Sequence, residues 1–315
     1  MSTLRIDPKP ATAVDVFDAA RPPVLRVDPG DTVTVRTLSA AGYTERQSEP
    51  GAEVPTLLPS RRGHCLVGRS RWRAHARAKC SRCNSTTSSP TTGGTRVRAA
   101  LTPPSTRAFV SSNGVARPAP VVDRHRRGTA SNQFGLAVRN APFLGVVGLP
   151  PEPTGEHSTI PPRPVGGGNV DCRELVAGST LFLPVTVPDA LLWVGDGHAA
   201  QGDGEVSGTA IECGMTTTMT LSLLDETPVA GIHADTPAGR ITFGFDPDLN
   251  TATTIALDAM VDWIAGLFDI GRAEALAMAS VAVSMRITQV ANRTWGVHAL
   301  LPEGAISRDA VAVAR

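Results

Sequence analysis

Residues 215–224 read MTTTMTLSLL, with apolar side chains at 215, 219, 221 and 223 and threonine or serine at 216, 218, 220 and 222. A period of two marks a β-strand with one face on a core and the other in polar surroundings. The same signature recurs on both sides of this stretch. Leu181–Val187, Leu191–Val194, Val206–Ile211 and Gly239–Phe245 all read as strands, separated by turn-forming residues. Nearer the N-terminus, PVLRVDPGDTVTVRTL carries two alternating runs, Val24–Val27 and Thr32–Arg36, joined by a Pro-Gly turn, which predicts a hairpin. Helical periodicity comes late. In Ala252–Phe268, the residues Leu257, Met260, Val261, Ile264, Leu267 and Phe268 form an apolar stripe at three- and four-residue spacing. A second helix starts near Arg272 and gives way to MRITQVA and WGVHALL, which are strand-like again. The fold expected is mainly β with a smaller α+β part: a β-sandwich or jelly-roll-like body and a helix pair near the C-terminus.

The composition agrees. Among 315 residues there are 30 glycines and 26 prolines and only 4% aromatics, which favours many turns and short strands over long helices. No run approaches the ~18 apolar residues of a membrane span, and MSTLRIDPKP lacks the apolar centre of a signal peptide, so a cytoplasmic protein is expected. Five cysteines, an odd number, argue against a disulfide framework.

The net charge of +1 hides a division. From Arg69 to Arg127 there are thirteen Arg and Lys against Asp123 alone, so an acidic chain carries a basic insert. The insert has neither helical nor strand periodicity. It could be a disordered linker. It could also be a nucleic-acid arm with zinc, given His64, Cys65, His75, Cys80 and Cys83, although a single C-x-x-C is weak support. A third reading fits better, that the segment is translated out of frame. Shifting Lys79–Ser85 by one base, with GC-rich third positions, spells E-V-L-A-V-Q-L, and continuing to Gly94 allows DDLVPDDWG. A formless basic stretch then becomes an alternating strand and an acidic turn. The expected organisation is an N-terminal β segment (1–68), this aberrant and irregular segment (69–127), a β-rich catalytic core (128–238) and a C-terminal α+β part (239–315).

Chemistry is concentrated in residues 195–212, GDGHAAQGDGEVSGTAIE, where Asp196, His198, Gln201, Asp203, Glu205 and Glu212 lie among five glycines and three alanines. Asp196 and His198 should sit at or just past the end of the strand Leu191–Val194. Carboxylate oxygens and imidazole suit zinc or a similar divalent ion, and glycine permits close backbone approach. The alternative is a polar surface loop with its carboxylates in water. PVGGGNVDC (164–172) places Asn169 and Asp171 after three glycines, as a strand-entry turn or as a second wall of the same site.

At this point the chain resembles the acetamidase/formamidase amidohydrolases. The resemblance rests on GGNVDCRELVAGSTLFLPV, VGDGHAAQGDGEVSGTAIE, RRGHCLVG, APFLGVVGLPP and MRITQVANRTWGVHALLP, and it lapses between about Arg69 and Arg127. Ser284 stands where the family often has an acid. The resemblance implies hydrolysis of formamide, acetamide or similar short amides to carboxylate and ammonia, in a homo-oligomer that binds neither nucleic acid nor membrane. Elimination points the same way. Lysine-activated serine or cysteine amidases need a lysine, and Lys9 and Lys79 lie in a terminal and in the suspect segment. Cys172 and Cys213 are then packed thiols, and a metal-activated water remains. The expected metal ligands are Asp196 and His198, with Asp171 as a third and Asp203 as a further candidate. Glu205 is the general base, with Glu212 as its substitute, and Asn169 and Gln201 orient the amide or its oxyanion. His64 either reaches this pocket or is structural. His157 lies on a proline-rich loop, and His233 and His298 are structural. Two other functions stay open: an inactive or misassembled relative that keeps a binding surface, and a zinc-dependent nucleic-acid binder built on the basic segment.

Overall fold

The computed structural model describes residues 4–45, 53–60, 62–72, 80–91, 95–96, 120–124, 128–132, 134–152 and 155–308. The first strands are β1 (Leu4–Ile6), β2 (Ala13–Val14), β3 (Val16–Asp18), β4 (Leu25–Val27), β5 (Thr32–Arg36), β6 (Leu66–Trp72) and β7 (Cys80–Thr91). They continue as β8 (Thr95–Arg96), β9 (Pro120–Arg124), β10 (Thr129–Asn132), β11 (Ala137–Arg139), β12 (Phe143–Gly148), β13 (Glu156–Ser158) and β14 (Gly167–Asn169). Then come β15 (Thr180–Leu183), β16 (Leu192–Ala200), β17 (Ile211–Leu224), β18 (His233–Thr236) and β19 (Gly239–Asp246). The helices α1 (Leu249–Phe268) and α2 (Arg272–Ala282) precede β20 (Ser284–Gln289) and β21 (Trp295–Leu301). This is the mainly-β body with a C-terminal helix pair that the periodicities predict.

The long strand β17 organises the main sheet. Its start pairs with β16 through Gly197↔Cys213 and His198↔Glu212, and residues 216–220 pair with β5. Along most of its length it also pairs with β7, which is followed by β15, β18, β19, β21 and β20. Alternation in MTTTMTLSLL does what a half-buried strand requires, since Met215, Met219 and Leu221 enter the core with Val33, Val35, Val67, Leu183 and Ile241. Helix α1 starts at Asp248, whose side chain accepts from Thr251 N. Its 20 residues are long and apolar enough to cross a membrane, yet Ala252, Ala256, Met260, Val261 and Ile264 are buried with Val297, Ala299 and Leu301 of β21.

Three local expectations change. The runs at 24–27 and 32–36 form no hairpin with each other, because β4 pairs with β6 and β5 with β1 and β17. The turn between them hooks onto β17 instead, with Gly30 N donating to Leu221 O at 2.7 Å and Leu221 N to Asp31 O at 2.9 Å. Of the strand expected at Val206–Ile211 only Ile211 is extended, and a turn closed by Gly208 N on Glu205 O takes its place. Asp196 and His198 lie inside β16 and not on a loop beyond it. Two glycines make that possible. A Cβ at Gly195 would meet Cys65 O at 2.8 Å and one at Gly197 would meet Cys213 O at 2.6 Å, so larger residues could not enter the sheet there.

Of residues 69–127, expected to be irregular, those described have strand backbone; the rest, with Lys79 and His75, lie outside the described residues. β7 fills the slot between β17 and β15. The ladder uses only main-chain groups, and both flanking strands would otherwise present unpaired edges.

Candidate active site

Three adjacent strands build the site. β12 pairs with β14 on one side (Val146↔Asn169) and with β16 on the other (Val146↔Gly195). Asp171, just beyond β14, and Asp196 on β16 therefore converge across β12. Gly145 is the residue that lets them meet, because a Cβ there would lie 2.6 Å from Asp171 Oδ1 and 2.8 Å from Asp196 Oδ2. One oxygen of each aspartate and a nitrogen of His198 lie within 4.8 Å of one another, all buried. Among the described non-glycine residues, positive φ occurs at six, and Asp171 (48°), Asp196 (53°) and Glu205 (43°) are three of them. Left-handed backbone costs on the order of 1–3 kcal/mol at such residues and tends to persist where function requires it.

His198 is oriented as a ligand should be. Its Nε2 lies 3.3 Å from Asp196 Oδ1, and its Nδ1 hydrogen-bonds Gln201 Oε1 at 2.8 Å. Gln201 Nε2 in turn donates to Asp171 O at 2.6 Å. Gln201, expected to orient substrate, thus has both amide atoms engaged in holding two candidate ligands. Asp203, expected as a ligand, faces elsewhere: Arg286 Nε donates to its Oδ2 at 2.7 Å. His64 Nε2 does reach the pocket, 3.9 Å from Asp196 Oδ2, while its Nδ1 lies 3.2 Å from Thr159 O. Glu212 is opposite His198 in the ladder and accepts from Thr209 Oγ1 at 2.8 Å. Asn169 Nδ2 donates to Ile160 O at 2.9 Å, and its buried Oδ1 has no partner.

The electrostatics are those of a buried carboxylate group built around one cation position. Burial, reinforced by Glu205, pushes Asp171 well above the carboxylate range. Burial acts against Asp196 too, but the His198 and His64 charges hold it down at about 2. His198 loses by desolvation and gains more from Asp196, which raises it well above its ordinary value. Glu205 rises to about 7 through burial and the charge of Asp196, against the lowering effect of His198. With no cation present, imidazolium therefore occupies the position of positive charge. Both oxygens of Asp171 and Oδ1 of Asp196 are buried without a hydrogen-bond partner. Orphaned acceptors over a cradle free of Cβ, next to an imidazole fixed through its other nitrogen, fit a divalent cation.

Arg286, Asn292 and Gly145 escape sequence reasoning. Arg286 holds Asp203, Gly204 N donates to Thr288 O at 3.2 Å, and Val290 N donates to Gly204 O at 2.8 Å, so β20 carries the loop that presents Glu205. Asn292 Nδ2 donates to Ile160 O, the carbonyl also used by Asn169. No local pattern announces such pairs. Ser284 is exposed at the start of β20. His233 stacks on Phe182 with burial pressing it down to about 4, as a structural histidine. Cys172 and Cys213 are buried thiols outside any disulfide. Burial pushes Cys172 well above its usual value, the reverse of an activated nucleophile. Of the residues a zinc-dependent nucleic-acid arm would need, His64 belongs to this pocket and Cys65 is buried, its thiol pushed up to about 12 by burial. The side chains of His75, Cys80 and Cys83 lie outside the described residues.

If Gln201 positions the ligands, Gln201→Leu should weaken divalent-cation binding by ~10–100-fold, the usual cost of losing such a support. The check is calorimetric titration beside a Glu212→Gln control, and equal affinity in Gln201→Leu and the native chain would remove Gln201 from this role.

Residues 152–238, the segment that supplies Asn169, Asp171 and every candidate from Asp196 to Glu212, match the model of the Acetamidase/Formamidase family. An acetamidase of Mycolicibacterium smegmatis is 38% identical over 88 residues, and a formamidase of Methylophilus methylotrophus 49% identical over 49. These matches span 18% and 12% of the two relatives' own lengths, and 28% and 16% of this chain. The fold agrees over nearly the whole chain with the crystal structure of an acetamidase from Bacillus halodurans: TM-score 0.81 at 21% identity, covering 95% of this chain and 97% of that one. An acetamidase from Yersinia enterocolitica aligns with the same TM-score and identity over 98% and 94%. The chain thus has the fold of these structures, and its residues 152–238 carry the pattern of the Acetamidase/Formamidase family.

Proposed function

We propose that this protein hydrolyses short linear amides such as formamide and acetamide to carboxylate and ammonia. The observation that carries this reading is the convergence of Asp171, Asp196 and His198 beside Glu205, a carboxyl group poised at about 7. Asp171, Asp196 and His198 would hold a divalent cation, with zinc favoured by two carboxylates and one imidazole. Such an ion polarises an amide carbonyl and acidifies water. The chain's own groups do the rest. Glu205 takes a proton from the attacking water; as oxygen adds to the carbonyl carbon and the C–N bond breaks, Glu205 returns that proton to nitrogen, which leaves as ammonia. Asn169 Oδ1, buried and free, would accept from the substrate N–H. His64 lines the Asp196 side of the pocket. The test is ammonia release from formamide and acetamide by dialysed and metal-reloaded protein. Undiminished turnover after exhaustive chelation, with no metal by elemental analysis, would refute the cation; no turnover in any loaded form would refute the amidase.

A pH prediction follows from the same charges. In the cation-free site burial raises Asp171, and at His198 the charge of Asp196 outweighs desolvation and raises the imidazole, so both hold their protons to higher pH than usual. Those protons must leave when the cation binds, so binding should release protons and weaken as pH falls. Calorimetry in buffers of different ionisation enthalpy measures this; affinity independent of pH between 6 and 8 would contradict it.

We also propose that residues 69–127 are out of frame with the family's sequence. The strand register supports this. On β17, buried Met219, Leu221 and Thr217 lie opposite Ser85, Cys83 and Ser88, and Leu223 lies opposite Ser81. In the shifted frame, positions 81, 83, 85 and 88 become leucine, valine, leucine and leucine, apolar in phase with the buried face of β17. Positions 82, 84 and 87 become alanine, glutamine and aspartate opposite Ser222, Thr220 and Thr218. A bulge in the ladder between Thr218 and Met219 falls where the shifted sequence would otherwise lose that phase.

A further inference from the structure

Next to the proposed amide site, and using none of its ligands, lies a second convergent cluster. Cys172 Sγ lies 3.3 Å from Glu174 Oε2, and His298 Nε2 lies 3.5 Å from the same oxygen. The three donor atoms are within 4.8 Å of one another, and all three residues are buried. His298 is 0% exposed, and its Nε2 has no hydrogen-bond partner, although its Nδ1 is fixed by Thr288 Oγ1 at 2.8 Å. A buried nitrogen left unsatisfied is costly, so its aim at a thiol and a carboxylate calls for an occupant.

We propose that Cys172, Glu174 and His298 form a second cation site, for a thiophilic divalent ion of the zinc class, which binds the turn carrying Asp171 to strand β21. Donor spacing fits. Zinc–sulfur bonds of ~2.3 Å and zinc–nitrogen or –oxygen bonds of ~2.0–2.1 Å put donors about 3.3–3.5 Å apart in a tetrahedral set. Arg286 donates to Glu174 Oε1 at 2.7 Å and to Asp203 Oδ2 at 2.7 Å, and Arg173 Nε lies 3.9 Å from the same Glu174 oxygen, so Glu174 Oε2 is the oxygen that faces the thiol and the imidazole. Through Arg286 the ion would brace the loop of Glu205 as well as the turn of Asp171.

The test uses cobalt(II) as probe on the full chain. The native protein should bind about two equivalents and show a thiolate-to-cobalt charge-transfer band in the near ultraviolet. Cys172→Ser should lose that band and one equivalent, and His298→Gln should do the same should the serine variant fail to fold. Asp196→Asn should lose the other equivalent and keep the band. Absence of the band from the loaded native protein, or its persistence in Cys172→Ser, would overturn the proposal. None of these readouts depends on amide turnover, so failure of the amidase reading leaves the outcome interpretable.

Discussion

Asp196→Asn is expected to lower amide turnover at least ~100-fold and to abolish stoichiometric cation binding at the first site, because an activated water and its polarising charge are lost together. The substitution is chosen to isolate charge from shape. Asp196 sits at φ 53° inside a strand, and asparagine is among the few residues that tolerate that backbone. The neutral amide cannot balance His198, whose Nε2 is 3.3 Å away, so the imidazole should also lose much of its affinity for a proton. Ammonia release, elemental analysis and an NMR titration of His198 read the three effects. Native turnover in a folded Asp196→Asn variant would exclude the whole site.

Restoring the reading frame across residues 69–127 is expected to raise thermal stability by ~10 °C or more and to raise soluble yield and turnover. Each buried leucine or valine contributes ~1.5–3 kcal/mol, and four such positions on β7 together are on the order of 6–12 kcal/mol, comparable with the whole net stability of a typical domain at ~5–15 kcal/mol. The backbone slot already exists, since β7 pairs with both β15 and β17. The change acts on what fills the slot. Equal melting temperature, yield and turnover in the two chains would show that the basic segment is the native sequence.

Much of the fold was legible before any coordinates. Alternation identifies β15, the start of β16, β17 and β19, and the stripe from Leu257 to Phe268 identifies α1, because these periods follow from local geometry and from burial of one face. The density of acids around His198 marks the site for a similar reason: so many ionisable groups among glycines are costly unless they bind something. Other features lie beyond local pattern. Asp203 meets Arg286 across 83 residues of chain, and Glu174 meets it across 112. The hairpin expected at 24–36 fails because its strands find other partners, which turn residues cannot reveal.

What the amino-acid sequence determined by itself was the class of fold, the donor types and the positions where ligands could stand, all consequences of short-range periodicity and residue chemistry. The tertiary structure decided which donors converge. Gly145 brings Asp171 and Asp196 together across one strand, while Cys172, the next residue in the chain, meets Glu174 and His298. Ligation depends on distances of a few ångströms between strands, and those are set by register and by backbone left-handed at Asp171, Asp196 and Glu205, which only long-range packing can enforce.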